Sequence, residues 1–137
     1  MLKQKTTIET ISESPEPTEG AAVISVGAEN SEFASLTTSL AEIRKLKGVM
    51  GYILRSNSSA IIDLTEQDKI IEYAILSTQI SESSLEIAKQ FSLSDIESVL
   101  VEGKNVKVLC MSVGENKISV FMEKTATHAW IIKRILL

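Results

Sequence analysis

The chain has 137 residues, 44% of them hydrophobic and 4% aromatic, which fits one domain built on a mainly aliphatic core. The net charge of −4 sits in residues 1–32, where two lysines face six glutamates, while residues 33–137 balance twelve against twelve and offer no basic field for nucleic acid. One cysteine (Cys110), no apolar h-region at the start and no run of membrane-span length point to a cytoplasmic protein with no membrane insertion.

Residues 1–20 are rich in Ser, Thr, Glu and Pro, with "SPEPTEG" at Ser14–Gly20. Such a segment cannot bury enough apolar surface to offset its ordering entropy, so residues 1–32 are read as an acidic, largely disordered tail and residues 33–137 as the folded domain. "AAVISV", Ala21–Val26, is apolar; an edge strand and a segment lying on the body are both open to it. From Ser31 the period changes. Phe33, Leu36, Leu40, Ile43 and Leu46 recur at steps of three and four, one face of a helix, with Ser31 as N-cap and Gly48 as stop signal.

Val49–Leu54 and Ala60–Ile62 are short apolar runs joined by Ser56-Asn57-Ser58-Ser59. Asn tolerance of positive φ and hydroxyl-to-backbone bonds supply turn chemistry there, which predicts a hairpin. Asp68–Gln90 lacks Gly and Pro and is long enough for about six helical turns, with Thr65 as candidate N-cap. Two stripes run along this helix: Tyr73, Leu76, Ile80, Ser84, Ile87, Phe91, and Ile70, Ala74, Ser77, Ser81, Leu85, Ala88. A helix wet on one side needs only one, so two stripes predict contacts on two sides. Ile96–Gly103, Asn105–Gly114 and Lys117–Lys124 are β-branched and aliphatic, separated by Gly-containing turns, and read as an antiparallel meander. Thr125–Leu137 closes the chain as a helix with Ala129, Ile132, Ile135 and Leu136 on one face, Trp130 beside it and Thr125 as N-cap.

Little here is catalytic. His128 is the only histidine and has no nucleophile motif near it, so it is read as a helix-face residue. Cys110 lies among apolar neighbours and is read as a buried small hydrophobe. One His and one Cys do not make a usual zinc site, and no cofactor is expected. Asp63, Glu66, Asp68 and Glu72 are read as solvated charges favoured by the start of the long helix. "EGKN", Glu102–Asn105, lacks the Gly-rich loop of a phosphate cradle and is read as a turn. Asn57-Ser58-Ser59 matches the N-glycosylation pattern, read as accidental. Trp130 is read as a core anchor in preference to a partner hot spot.

The order α-β-β-α-β-β-β-α, with "LAEIRKLKGVMGYIL" (Leu40–Leu54), "AILSTQISESSLEIAKQF" (Ala74–Phe91) and "IESVLVEGKNVKVLCMSVGENKISVFMEK" (Ile96–Lys124), resembles the roadblock family: dynein light chains of the roadblock type and their bacterial and archaeal relatives that regulate small GTPases. Gly48-Val49-x-Gly51 is the most family-like element; many relatives carry an Asp-Gly turn where this chain has Asn57-Ser58-Ser59. The resemblance implies an α+β fold, a five-stranded antiparallel sheet between helices (a profilin-like sandwich), with the long helix on one face and the terminal helices on the other. It also implies a homodimer, or a heterodimer with a paralogue, in which edge strands join and long helices lie side by side. Zero net charge on the body agrees with self-association. On this sequence the implied interface falls on Tyr73, Leu76, Ser77, Ile80, Ser81, Ser84, Ile87, Val99 and Val101. The implied function is a non-enzymatic platform that binds and regulates, or scaffolds, a small Ras-like GTPase. Two alternatives stand beside it: a small-molecule sensor of PAS or GAF type, for which the aliphatic strands provide few pocket-lining polar groups, and a purely structural adaptor.

Overall fold

A computed structural model describes residues 9–10, 22–26 and 31–136. Its elements are β1 (Glu9–Thr10), β2 (Ala22–Val26), α1 (Ser31–Arg44), β3 (Val49–Arg55), β4 (Ala60–Leu64), a 3-10 turn (Gln67–Lys69), α2 (Ile70–Phe91), β5 (Ser98–Glu102), β6 (Val106–Val113), β7 (Asn116–Glu123) and α3 (His128–Leu136). The five expected strands form an antiparallel sheet in the order β4-β3-β7-β6-β5, and β2 and then β1 extend it beyond β4. Ala22–Val26 is thus a strand on the β4 edge. The reading of residues 1–32 as a disordered tail otherwise falls largely outside the described residues.

The central strands are apolar on alternate sides, and each side is covered. Tyr52, Leu54, Leu109, Met111, Ile118, Val120 and Met122 meet Phe33, Leu36, Leu40 and Ile43 of α1 and Ile131 and Ile135 of α3. Ile53, Leu64, Val108, Cys110 and Phe121 point the other way, onto Tyr73 and Ile80 of α2. Burying a side chain such as Phe33 or Leu40 completely contributes about 1.5–3 kcal/mol, and both are fully buried. The Tyr73 ring stacks on Phe121 at 4.5 Å and 13°.

Several local readings change. The first hairpin does not rely on positive φ at Asn57: among described non-glycine residues only Ser92 and Ser94 have positive φ. The Ser56 hydroxyl instead accepts the Ser58 and Ser59 N–H groups, and Ser56 N–H donates to the Ser59 carbonyl. Thr65 does not cap α2, because a 3-10 turn intervenes and Lys69 holds the cap position without a side-chain bond. The last helix starts at His128 rather than Thr125. Trp130 is 47% exposed, because Ile131 and Ile135 carry the buried stripe of α3.

Asp63 is not a solvated helix-start charge. It is buried on β4, and Arg44 at the end of α1 reaches it. The guanidinium donates from Nε to Asp63 Oδ1 at 3.3 Å, from a terminal nitrogen to the Val49 carbonyl at 3.2 Å, and from the other to Thr65 Oγ1. One side chain thereby ties α1, β3, β4 and the following turn. Burial raises the Asp63 carboxyl above its ordinary range, and the Arg44 charge only partly offsets this. Burial, then the Asp63 charge, also pushes the Tyr52 phenol up.

Gly51 is the other fixed point. The β3–β7 register shifts between Val49 and Gly51, a bulge with Gly51 at φ +154. A Cβ there would lie 2.2 Å from the Asp63 carbonyl oxygen and 2.7 Å from Leu64 Cα. Both are backbone atoms, so Gly51→Ala is expected to destabilise the fold by about 3 kcal/mol, read as a lower chemical denaturation midpoint. Arg44→Met leaves the Asp63 carboxylate buried without its partner and is expected to cost about 3–5 kcal/mol near neutral pH. The sign with pH follows from the raised carboxyl: the folded state holds that proton more tightly than the unfolded chain, so its contribution is present at low pH and lost as pH rises through the raised value. Protonated Asp63 no longer needs the guanidinium. The gap between Arg44→Met and the parent protein should therefore shrink as pH falls from about 7 towards 4, measured by denaturation at each pH.

Candidate protein-binding face

The long helix crosses one sheet face with Tyr73, Ser77, Ile80 and Ala88 buried beneath it. That line lies between the two stripes legible in the sequence and takes members from each. The one polar patch beneath it is internally satisfied: Ser77 Oγ and Ser119 Oγ share a hydrogen bond at 2.5 Å, and Cys110 Sγ lies 3.3 Å from Ser119 Oγ. Burial pushes the Cys110 thiol up, which keeps it protonated and unreactive.

Along one flank of α2 runs an open groove of about 390 Å³, lined by Leu76, Gln79, Ile80, Ser83, Ser84 and Ile87 of α2 together with Ile96, Val99 and Val101. Its far wall is β5, which pairs with β6 and with no other described strand. Its second row of backbone N–H and C=O groups is therefore free to pair. Among the described residues nine large hydrophobic residues are exposed, and seven of them lie on α2, on β5 or on the link between them: Ile71, Ile75, Leu85, Ile87, Phe91, Leu93 and Val101. A patch of this kind beside an open edge is the mark of an association surface.

Of the nine residues assigned to an interface, six line this groove: Leu76, Ile80, Ser84, Ile87, Val99 and Val101. Of the nine, Ile87 and Val101 are exposed, while Leu76, Ser81, Ser84 and Val99 are half-buried. Tyr73 and Ser77 turn to the sheet, and Ile80 packs against it at 9% exposure. Ser81 lines a second, more polar cavity of about 400 Å³ beside the middle of α2, with Ser84, Asp95, Glu97, Ser112 and Lys117. The sequence reading missed Ile71 and Ile75, which belong to neither stripe. Their signal was present, two isoleucines four apart, 75% and 54% exposed, on a third face of the helix.

Zero net charge on the body hides a separation. Residues 66–102, which hold α2 and β5, carry eight carboxylates against two lysines; the rest of residues 31–136 carries five carboxylates against ten lysines and arginines. All eight carboxylates of the first group are exposed. The α2–β5 side is therefore apolar and acidic. Among the described residues no cluster of His, Cys, Asp and Glu is placed to hold a metal ion, and no helix is long and apolar enough to cross a membrane.

No protein-family model and no curated protein sequence matches the chain. A solved structure does: the crystal structure of a Roadblock/LC7 domain from Streptomyces avermitilis is similar at a TM-score of 0.59 and 13% identity, over 77% of this chain and 86% of that one. Likeness at that identity speaks for architecture. Together with the α-β-β-α-β-β-β-α order and the strand order described above, it identifies the fold of this chain as the roadblock fold.

Proposed function

We propose that this chain is a non-enzymatic platform of the roadblock type, which pairs through α2 and β5 with a second roadblock-fold chain and presents the joint surface to a small Ras-like GTPase that it regulates or scaffolds. The observation that carries the pairing is the coincidence of the open β5 edge with the apolar groove beside it. Edge strands join by backbone hydrogen bonds, and apolar residues flanking the joint exclude water from it. The GTPase as partner class comes from the fold resemblance.

The paired chain is a second copy or a paralogue, and the charge separation distinguishes them. Two copies bring two acidic faces together, so added salt screens repulsion and tightens the homodimer. A paralogue with a basic face gives the opposite salt dependence. Light scattering of the full chain is expected to give the mass of two chains, with the dissociation constant falling as salt rises from about 50 to 300 mM. Ile80 is a poor site for a disrupting charge because it packs on the sheet. Ile87→Glu and Val101→Glu are exposed substitutions, expected to weaken pairing by about tenfold or more while leaving the denaturation midpoint of the monomer little changed. A monomer at all concentrations, alone and with paralogues, would remove the platform. The GTPase reading is tested by mixing the chain with small Ras-like GTPases loaded with GDP or a non-hydrolysable GTP analogue. A larger complex formed preferentially in one nucleotide state supports it, and no complex in either state counts against it.

A second reading rests on the polar cavity beside the middle of α2, which serine residues, Asp95, Glu97 and Lys117 line. A sensor of small molecules would use it, and thermal stabilisation by members of a metabolite panel would reveal one. Both faces of the sheet are filled with aliphatic side chains, which leaves this reading behind the platform.

A further inference from the structure

At the far end of the sandwich, on the face away from α2, a groove of about 310 Å³ opens between the α1–β3 turn and α3. Leu46, Lys47 and Val49 form one wall; Ala126, Thr127, Trp130 and Ile131 form the other. The walls are pinned at their base. Gly48 adopts φ +90 and lies so close to Ala126 that a Cβ would stand 3.2 Å from that residue's Cβ, and Glu123 N–H donates to the Gly48 carbonyl at 2.7 Å. The two walls are thus joined at their base by a backbone hydrogen bond and a close approach.

Its lining combines two properties that the other grooves lack together. The first is an aromatic anchor: Trp130 is 47% exposed beside Val49 and Ile131, which are 7% and 1% exposed. A large aromatic with an apolar floor and one wet side favours a contact that covers it. The second is positive charge on the same segments. Lys47 lines the groove, Lys45 stands on the same turn, Lys124 on the link to α3, and Lys133 one helical turn beyond Trp130. All four are exposed. The ion pairs among the described residues use none of them, since Glu42 is taken by Arg134. Glu123 is the one carboxylate outside an ion pair on these segments.

We propose that this groove docks a short acidic segment of a partner protein. An aromatic or aliphatic side chain of that segment seats against Trp130, Val49 and Ile131, and its flanking carboxylates meet Lys45, Lys47, Lys124 and Lys133. A lipid surface fits less well. The apolar surface is recessed, and α3 spends its apolar stripe, Ile131 and Ile135, on the core, whereas a membrane-lying helix keeps that stripe free. The groove lies on the opposite face from the proposed pairing surface, so both can be occupied at once, and the test below does not depend on dimerisation.

Trp130 is the only tryptophan, so its emission reports on the groove alone. Selection of random displayed peptides on the full chain, followed by titration of enriched peptides against Trp130 emission, tests the proposal. The expected result is enrichment of peptides with an apolar residue among Glu and Asp, a blue shift on binding, and weakening by salt. Lys47→Glu, an exposed substitution that leaves the core untouched, is expected to weaken binding by about tenfold or more, and Trp130→Ala to abolish the enrichment. No enrichment, enrichment without acidic bias, or binding that neither shifts the emission nor responds to Lys47→Glu overturns it. A blue shift with phosphatidylserine-containing vesicles and no peptide enrichment overturns it in favour of a lipid surface. A blue shift of the protein alone with rising concentration overturns it in favour of a second copy.

Discussion

A sheet with helices on both faces has to be dry on both sides, and everything else in this molecule follows from meeting that demand on β3, β7 and β6. These strands cannot use the polar-out alternation of a half-exposed sheet. They read as nearly continuous apolar runs, Tyr52-Ile53-Leu54, Val108-Leu109-Cys110-Met111 and Val120-Phe121-Met122, sorted by register into two clusters. Most polar groups that enter this interior have partners, Ser59 Oγ and Asn116 Oδ1 being the exceptions among the described residues. Ser77, Ser119 and Cys110 satisfy one another beneath α2. Arg44 and Asp63 do so at the opposite face, where an unpaired charge would cost several kcal/mol.

The elements were legible wherever a residue's role depends on its neighbours in sequence. The three-four spacing of Phe33, Leu36, Leu40 and Ile43 marks both α1 and its buried face. The meander from Ile96 to Lys124 announces itself by β-branched runs between glycine turns, and Gly51 stands out as a glycine inside an apolar strand. Two of the failures share a physical cause: they depend on a side chain distant in sequence. Asp63 looks like one of four acidic neighbours until Arg44, nineteen residues away, is seen beside it. Thr65 looks like an N-cap until the same guanidinium claims its hydroxyl. Nothing local marks Ala22–Val26 as a strand rather than a loose apolar segment; only the unpaired side of β4 decides that.

For the candidate site, sequence periodicity identified the correct helix but not which of its faces is covered. Two apolar stripes are an ambiguous signal, because a helix seated over a groove between strands buries the line between them. The structure resolves this by burying Tyr73, Ser77, Ile80 and Ala88, which leaves Ile87 with Val101 on one flank and Ile71 with Ile75 outward. Charge told the same lesson at larger scale. A sum of zero over residues 33–137 is compatible with an even scatter or with two poles, and folding sorts it into an acidic α2–β5 side and a basic remainder.

The strand Ala22–Val26 gives the molecule a valence. A sheet open at both edges can add chains without limit, which is how β-rich proteins grow fibres. Here β2 occupies the β4 edge, and the strand outside it, β1, is only two residues long, a stub that offers almost no template. Among the described strands of five or more residues, β5 alone has an outer edge unpaired along its whole length. A strand added at β5 therefore meets no edge open along a whole strand of that length at the other side of the sheet, which disfavours continued edge-to-edge growth beside a surface as apolar as the α2–β5 side.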